Sequence, residues 1–204
     1  MNCPPHIAVY SGSFNPLHIG HLTIIRYMIE EAGFDMVYLI VSPKNPLKDG
    51  ISASTGLERY NAAVEAVNRH FAFGEVIGAS ASETRPIGKV MVDDIELNMP
   101  APHYTVRTLN ALKEREPQHT FTFVMGADNL ADIRRWREYQ TILKDFGVAV
   151  FPRIGHDLTQ IKQDLLNEDP AYKIQILEAE LVNISSTQIR EAIANGEDPS
   201  KYLM

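Results

Sequence analysis

Short apolar strands alternate with amphipathic helical segments along nearly all of the 204-residue chain, and this alternation restricts the fold more than any other feature. Ile7 to Tyr10 is a β-branched and aromatic run ending in Ser-Gly-Ser, the pattern of a buried strand that enters a tight loop. From Gly20 to Ala32, Leu22, Ile25, Ile29 and Ala32 recur at helical spacing, and Gly33 is a natural stop. Met36 to Val41 is a second apolar run, so strand, helix and strand fit the length of a right-handed βαβ crossover. The pattern continues with a loop from Pro43 to Gly50 and a helix over Ser54 to Arg69 through Leu57, Ala62, Val64 and Val67. An apolar run follows from Lys89 to Leu97, interrupted by Asp93 and Asp94, and then a helix over Tyr104 to Arg115. Thr120 to Met125 is a strand closed by Gly126, Trp136 to Lys144 is helical, and Val148 to Phe151 is a strand. Leu158 to Asn167 is a helix, Lys173 to Leu177 a strand, and Ser186 to Asn195 a last helix. The spacing predicts an α/β architecture, a Rossmann-like, doubly wound parallel sheet covered on both faces. In such a sheet, function gathers at the carboxyl ends of the strands, near a topological switch.

The chain contains no internal repeat and no Gly/Pro/Ser linker, so residues 1–204 are expected to form a single domain, with 71–89 as an insertion. Its 26 acidic and 19 Lys and Arg residues give a net charge of −7, which argues against nucleic acid polymers as partners, because they require a basic surface. Anionic small molecules then need cations concentrated at one place. A single cysteine, Cys3, excludes an intramolecular disulfide and a cysteine metal cluster, and makes a reducing cytoplasm the expected compartment. Met1 to Pro5 lacks the basic region and apolar run of a signal peptide, and no stretch has the ~20 apolar residues of a membrane span.

The loop after the first strand is G-S-F-N-P-L-H-I-G-H, Gly12 to His21, and it opens onto a helix. Gly12 lets the backbone approach a ligand, and the free amides of a helix start attract anions. His18 and His21 stand three apart, so a helix that begins near His18 projects both imidazoles from one side of its first turn. There they can donate to phosphate oxygens and stabilise charge that develops during nucleotidyl transfer; a metal pair lacks an evident third ligand. Near the other end stands I-S-S-T-Q-I-R, Ile184 to Arg190. Ser185 and Gln188 have capping-box spacing, which explains a helix start and leaves Ser186, Thr187 and Arg190 as a second anion site.

Between them, F-V-M-G-A-D-N-L, Phe123 to Leu130, sets Gly126 and Asp128 at a strand's end, where Asp128 suits a helix N-cap or a ligand contact. E-L-N-M-P-A-P-H-Y-T-V-R-T-L, Glu96 to Leu109, is followed by the lone Trp136 in R-R-W-R-E-Y and by V-F-P-R, ending at Arg153. A lone tryptophan is ordinarily core, but Arg134, Arg135, Arg137 and Glu138 around Trp136 argue against full burial.

The string Gly12 to His21 resembles the signature of the nucleotidyltransferase superfamily, whose H-x-G-H element matches His18 to His21, and Ile184 to Arg190 resembles its I-S-S-T-x-x-R element. Together with the Tyr104-Thr105 and Trp136 motifs, the chain resembles the bacterial nicotinate mononucleotide adenylyltransferases from about Ile7 to Gly196. The resemblance implies an ATP site of Gly12, Ser13, Phe14, His18, Gly20, His21, Gly126, Asp128, Ser185, Ser186, Thr187 and Arg190. It implies a pyridine nucleotide site of Asn15, Lys48, Tyr104, Thr105, Trp136 and Arg153, with His18, His21, Lys48 and Arg190 as the catalytic set. The chain departs from the family pattern at Asn15, where Asp is common, at Leu47-Lys48 in place of His-Lys, at His103 in place of Ser, and at Arg107 in place of an acidic residue.

The implied reaction is transfer of AMP from ATP to nicotinate mononucleotide, releasing pyrophosphate and forming deamido-NAD. Mg²⁺ is expected to bridge phosphate oxygens with waters in its shell, without a dedicated protein cage. Nicotinamide mononucleotide and phosphopantetheine are the alternative acceptors, and a nucleotide-binding regulator without turnover is the alternative class.

Overall fold

The computed structural model describes residues 4–43, 55–71, 89–179 and 184–204. Six strands form one sheet: β1 (His6–Gly12), β2 (Met36–Val41), β3 (Val90–Asp93), β4 (Thr120–Gly126), β5 (Val148–Phe151) and β6 (Ile174–Ile176). Their order is β3-β2-β1-β4-β5-β6 and every pairing is parallel, the doubly wound arrangement that the alternation predicts. The chain winds outward from β1 in one direction and from β4 in the other. The loops after these two neighbours therefore diverge and leave a crevice at the switch point.

Side chains of successive strand residues point to opposite faces, and here both faces are covered. Ile7 and Val9 of β1 enter one apolar cluster together with Val106, Leu109 and Leu112 of α4 (Thr105–Arg115) and Leu158 and Leu165 of α7 (Leu158–Glu168). Ala8 and Tyr10 enter the other, with Ile24, Ile25 and Met28 of α1 (Ile19–Glu30) and Ala63, Ala66 and Val67 of α2 (Gly56–His70). The near-continuous apolar strands are thus the middle layer of three.

Several local expectations shift. On α1 the most buried stripe is Ile24, Ile25 and Met28, with Leu22, Ile29 and Ala32 packed at its margin. On α2 the predicted stripe holds at Val67, which is fully buried, and at Val64, which packs against the core, but fails earlier: Leu57 is 61% exposed and Ala62 is exposed, whereas Arg59 is buried. That helix turns Arg59 inward because three backbone carbonyls wait for its guanidinium. The run ending at Leu97 is two elements, β3 and the single turn α3 (Ile95–Asn98), because Asp93 accepts the Ile95 N–H and turns the chain. The predicted helix over Trp136 to Lys144 is corrected. After α5 (Ala127–Ala131) comes a 3₁₀ turn at Ile133–Arg135, Trp136 is extended, and Glu138 has a left-handed φ of 52°. Only then does α6 (Tyr139–Thr141) begin, running into a π turn at Ile142–Phe146. The last helix is α8 (Ser186–Ala194), and a 3₁₀ turn at Ser200–Tyr202 brings Leu203 into an isolated antiparallel bridge with His18. Of the 71–89 segment, residues 72–88 lie outside the described residues.

Candidate active site

The carboxyl ends of β1 and β4 border a cavity of about 640 Å³, within the range of nucleotide-sized sites. Gly12, Ser13, Phe14, His18, Gly20 and His21 line it from the first loop and α1; Gly126 and Asp128 from the end of β4; Ser185, Ser186, Thr187 and Arg190 from α8. Tyr104, Thr105, Trp136 and Arg153 line it as well, so two sequence motifs about 165 residues apart and the elements between them meet in one cleft. Asn15 is not among the lining residues; it takes part through its carbonyl. Lys48 lies outside the described residues.

His18 caps α1 from an extended backbone conformation and is buried at 5% exposure. The two imidazoles lie with ring centroids 3.7 Å apart. The His18 backbone N–H donates to His21 Nδ1 at 3.2 Å. A ring nitrogen that accepts cannot carry a proton, so the proton of neutral His21 sits on Nε2, which is left as a donor. Burial, and then the neighbouring His18 and Arg153, hold His21 well below the ordinary imidazole range. Burial, with Arg153 second, lowers His18 to about 4. Both rings are therefore neutral hydrogen-bond donors near pH 7. A Cβ on Gly20 would lie 3.1 Å from the His18 ring, so the glycine between the histidines leaves space for that ring to lie across the helix start. Phe14 adopts a left-handed φ of 42°, a strained conformation for an aromatic residue and one that clusters at functional loops.

The second helix start is joined to the first loop. Ser186 Oγ donates to the Pro16 carbonyl at 3.1 Å, and Arg190 Nη1 donates to the Asn15 carbonyl at 2.7 Å while Nη2 reaches Thr187 Oγ1 at 3.0 Å. The capping box read from Ser185 and Gln188 is present, each side chain meeting the other residue's backbone N–H. Arg190 has five N–H donors, so it keeps donors for a ligand after making these bonds.

Asp128 is not the N-cap of α5; Gly126 holds that place and Asp128 lies in the first turn. Its Oδ1 is 3.8 Å from Arg153 Nε, and Arg153 also lies over the Phe151 ring at 4.9 Å. A side chain at Gly126 would collide with Asp128, so this glycine makes room for the carboxylate. Trp136 is half-buried and packs edge-on against Phe123 at 5.9 Å, leaving part of its surface in the cleft.

The family model for cytidylyltransferase-like proteins matches residues 9–192. The "Probable nicotinate-nucleotide adenylyltransferase" of Flavobacterium psychrophilum is 39% identical over 197 residues, covering 97% of this chain and 91% of the relative. The protein of the same name from Flavobacterium johnsoniae is 35% identical with the same coverage. This chain belongs to the nicotinate-nucleotide adenylyltransferase family. Among solved structures, Plasmodium falciparum nicotinic acid mononucleotide adenylyltransferase complexed with NaAD has the same fold, with a TM-score of 0.72 at 20% identity, covering 98% of this chain and 90% of that one.

Beside the motif residues of this nucleotidyltransferase, the cleft also takes in Tyr10, Ser42, Glu96, His103, Asn129, Arg135 and Arg137, which sequence reasoning did not assign to it. Glu96 and His103 sit inside the quoted E-L-N-M and H-Y-T strings, and Arg135 and Arg137 flank Trp136, so proximity to a motif was the available signal. Ser42 carries none. Glu96 is 3% exposed, accepts from Thr108 Oγ1 at 2.7 Å and thereby ties α3 to the first turn of α4, next to Tyr104 and Thr105. Among the described residues no helix is long and apolar enough to cross a membrane.

Proposed function

We propose that this chain transfers AMP from ATP to the 5′-phosphate of nicotinate mononucleotide, releasing pyrophosphate and forming deamido-NAD, in the cytoplasm. One observation carries this reading: two helix starts suited to anions, α1 with His18 and His21 and α8 with Ser185 to Arg190, open on one cavity, and α8 is hydrogen-bonded to the loop that leads into α1. Family membership supports the choice of nucleotides.

A phosphate oxygen of the acceptor attacks the α-phosphorus of ATP, and the bond to the bridging α,β oxygen breaks, with its electron pair leaving on pyrophosphate. The acceptor is already ionised, so no general base is required, and catalysis is alignment and charge stabilisation. The Nε2–H of His21 and the imidazole of His18 donate to oxygens at the α-phosphate, while Arg190, Lys48 and the amides of Ser186 and Thr187 take the departing pyrophosphate. Gly12, Ser13, Phe14 and Gly20 let the backbone close on ATP, and Gly126, Asp128 and Ser185 border its nucleoside. Tyr104, Thr105 and Trp136 take the pyridine ring, with Asn15 and Arg153 toward its phosphate. Among the described residues no three His, Cys, Asp or Glu side chains converge as a metal nest. The cleft's imidazoles and guanidinium groups suit phosphate oxygens rather than a hard cation. Mg²⁺ is proposed to enter with ATP, on its phosphates.

The test is pyrophosphate release from Mg-ATP with nicotinate mononucleotide, nicotinamide mononucleotide and phosphopantetheine offered in turn. Release with nicotinate mononucleotide at the highest kcat/KM is expected. A preference for another acceptor would replace the substrate, and no release with any would favour a regulator. Trp136→Ala should raise KM for the pyridine nucleotide and leave that for ATP unchanged; an effect confined to ATP would move Trp136 out of the acceptor pocket.

A further inference from the structure

Arg59, near the start of α2, is 4% exposed, and its guanidinium donates to three backbone carbonyls. Nη1 donates to Ser13 O at 2.6 Å and Ser42 O at 2.8 Å, and Nη2 donates to Pro43 O at 2.8 Å. Among the described residues its buried Nε has no partner. Among the described residues no carboxylate forms an ion pair with it. A guanidinium keeps its proton in proteins, so this is a buried positive charge that, among the described residues, carbonyl dipoles alone solvate, a costly arrangement for the folded chain.

The bond to Ser13 O has a geometric consequence. The Ser13–Phe14 peptide is trans, so its C=O and N–H point in opposite directions. With the carbonyl drawn to Arg59, the Phe14 N–H points away from Arg59. Ser13, Phe14 and Ser42 border the cavity and Arg59 does not, so the cleft lies on the side to which that amide is turned. Phe14 itself has a left-handed φ of 42°, a strained backbone conformation in the same loop.

We infer that Arg59 is a positioning residue: from behind the first loop it turns the Phe14 amide into the cleft and supplies a buried positive charge that an anionic nucleotide neutralises. The inference rests on the adenylyl-transfer reading. An anion in the cleft sits one peptide from the guanidinium in a medium of low dielectric, where an uncompensated charge acts strongly. Arg59 also joins the loop after β1 to the loop after β2, fixing the spacing between them without touching substrate.

The experiment uses ¹⁵N-labelled full-length protein titrated with the Mg complex of α,β-methylene ATP, alongside steady-state kinetics and thermal melts. Wild type should bind, move the Phe14 amide downfield and release pyrophosphate with ATP and acceptor. If it binds and turns over nothing, the adenylyl-transfer reading fails. In Arg59→Met the Phe14 amide should lose its response and binding should weaken by roughly tenfold or more, a smaller effect than removing a direct transition-state donor. Arg59→Lys retains charge and polar contact but has no planar fork to reach three carbonyls, so it should fold and show a partial loss of the same kind. If active wild type is joined by variants whose melting temperature falls while the Phe14 response and the kcat of folded protein stay as in wild type, Arg59 is merely structural and the inference is overturned. Should Arg59→Met fail to fold, Arg59→Lys decides by the same two readouts.

Discussion

At the scale of single residues, the histidine pair and the glycine between them separate stability from turnover. An alanine at Gly20 meets the His18 ring at 3.1 Å and Ile184 Cγ2 at 3.4 Å, while the His21 ring restricts retreat on the other side. Glycine costs a helix about 0.5–1 kcal/mol relative to alanine. Gly20→Ala should therefore melt no lower than wild type while kcat falls by roughly tenfold or more, as expected for a displaced transition-state donor. Unchanged kcat would mean that His18 can yield without loss. The same residues set a pH dependence. His18 titrates near 4 in the folded protein against an ordinary value of 6.5, and His21 is lowered in the same direction. The unfolded chain then binds more protons between these values, so stability is complete above 6.5 and is lost as pH falls toward 4. Melting temperatures at about pH 7.5 and about pH 5.5 should show a smaller drop in His18→Asn than in wild type. An equal drop would remove His18 from the linkage.

At the scale of elements, α8 is held by a cap and by an anchor, and the two have different consequences. Ser185→Ala removes the cap, worth about 1 kcal/mol, and should lower the melting temperature by about 2–4 °C. Arg190→Lys keeps the charge but cannot reach both the Asn15 carbonyl and Thr187, so it should melt nearly as wild type while losing roughly tenfold or more in kcat/KM. If the rate loss followed the cap instead, α8 would be acting through its stability alone. The cap was legible in the sequence because capping is local, and so were the strands, whose apolar runs are buried on both faces. The inward face of the first turn of α2 was not. Leu57 is a better core residue than Arg59 on any hydropathy scale, and only the carbonyls of Ser13, Ser42 and Pro43, on loops brought there by the sheet, reverse the order. The Trp136 segment failed for a related reason. Its residues have helical spacing, but the chain must break at Glu138 for the indole to reach both Phe123 and the cleft. The site itself was legible where it is built from helix starts with fixed local geometry, His18 with His21 and Ser185 to Arg190. Ser42 belongs to it through topology alone.

At the scale of the molecule, a net charge of −7 coexists with a cleft that holds His18, His21, Arg153 and Arg190 inside and Arg135 and Arg137 at its margin. The marginal arginine side chains are 75% and 67% exposed, so salt should screen them strongly. KM for Mg-ATP should rise several-fold between about 0.05 and about 0.5 M KCl with little change in kcat, and the rise should shrink in an Arg135→Gln, Arg137→Gln double variant. A salt response that is identical in the double variant would assign the attraction to the interior cations.

The bonds from Ser186 to Pro16 and from Arg190 to Asn15 span 170 and 175 residues of chain, and Leu203 pairs with His18. The site is therefore assembled from segments far apart in the chain, the loop after β1 and the start of α8. The two phosphate grips then hold only while these long-range contacts hold, so a local loosening of α8 would open the site without unfolding the sheet.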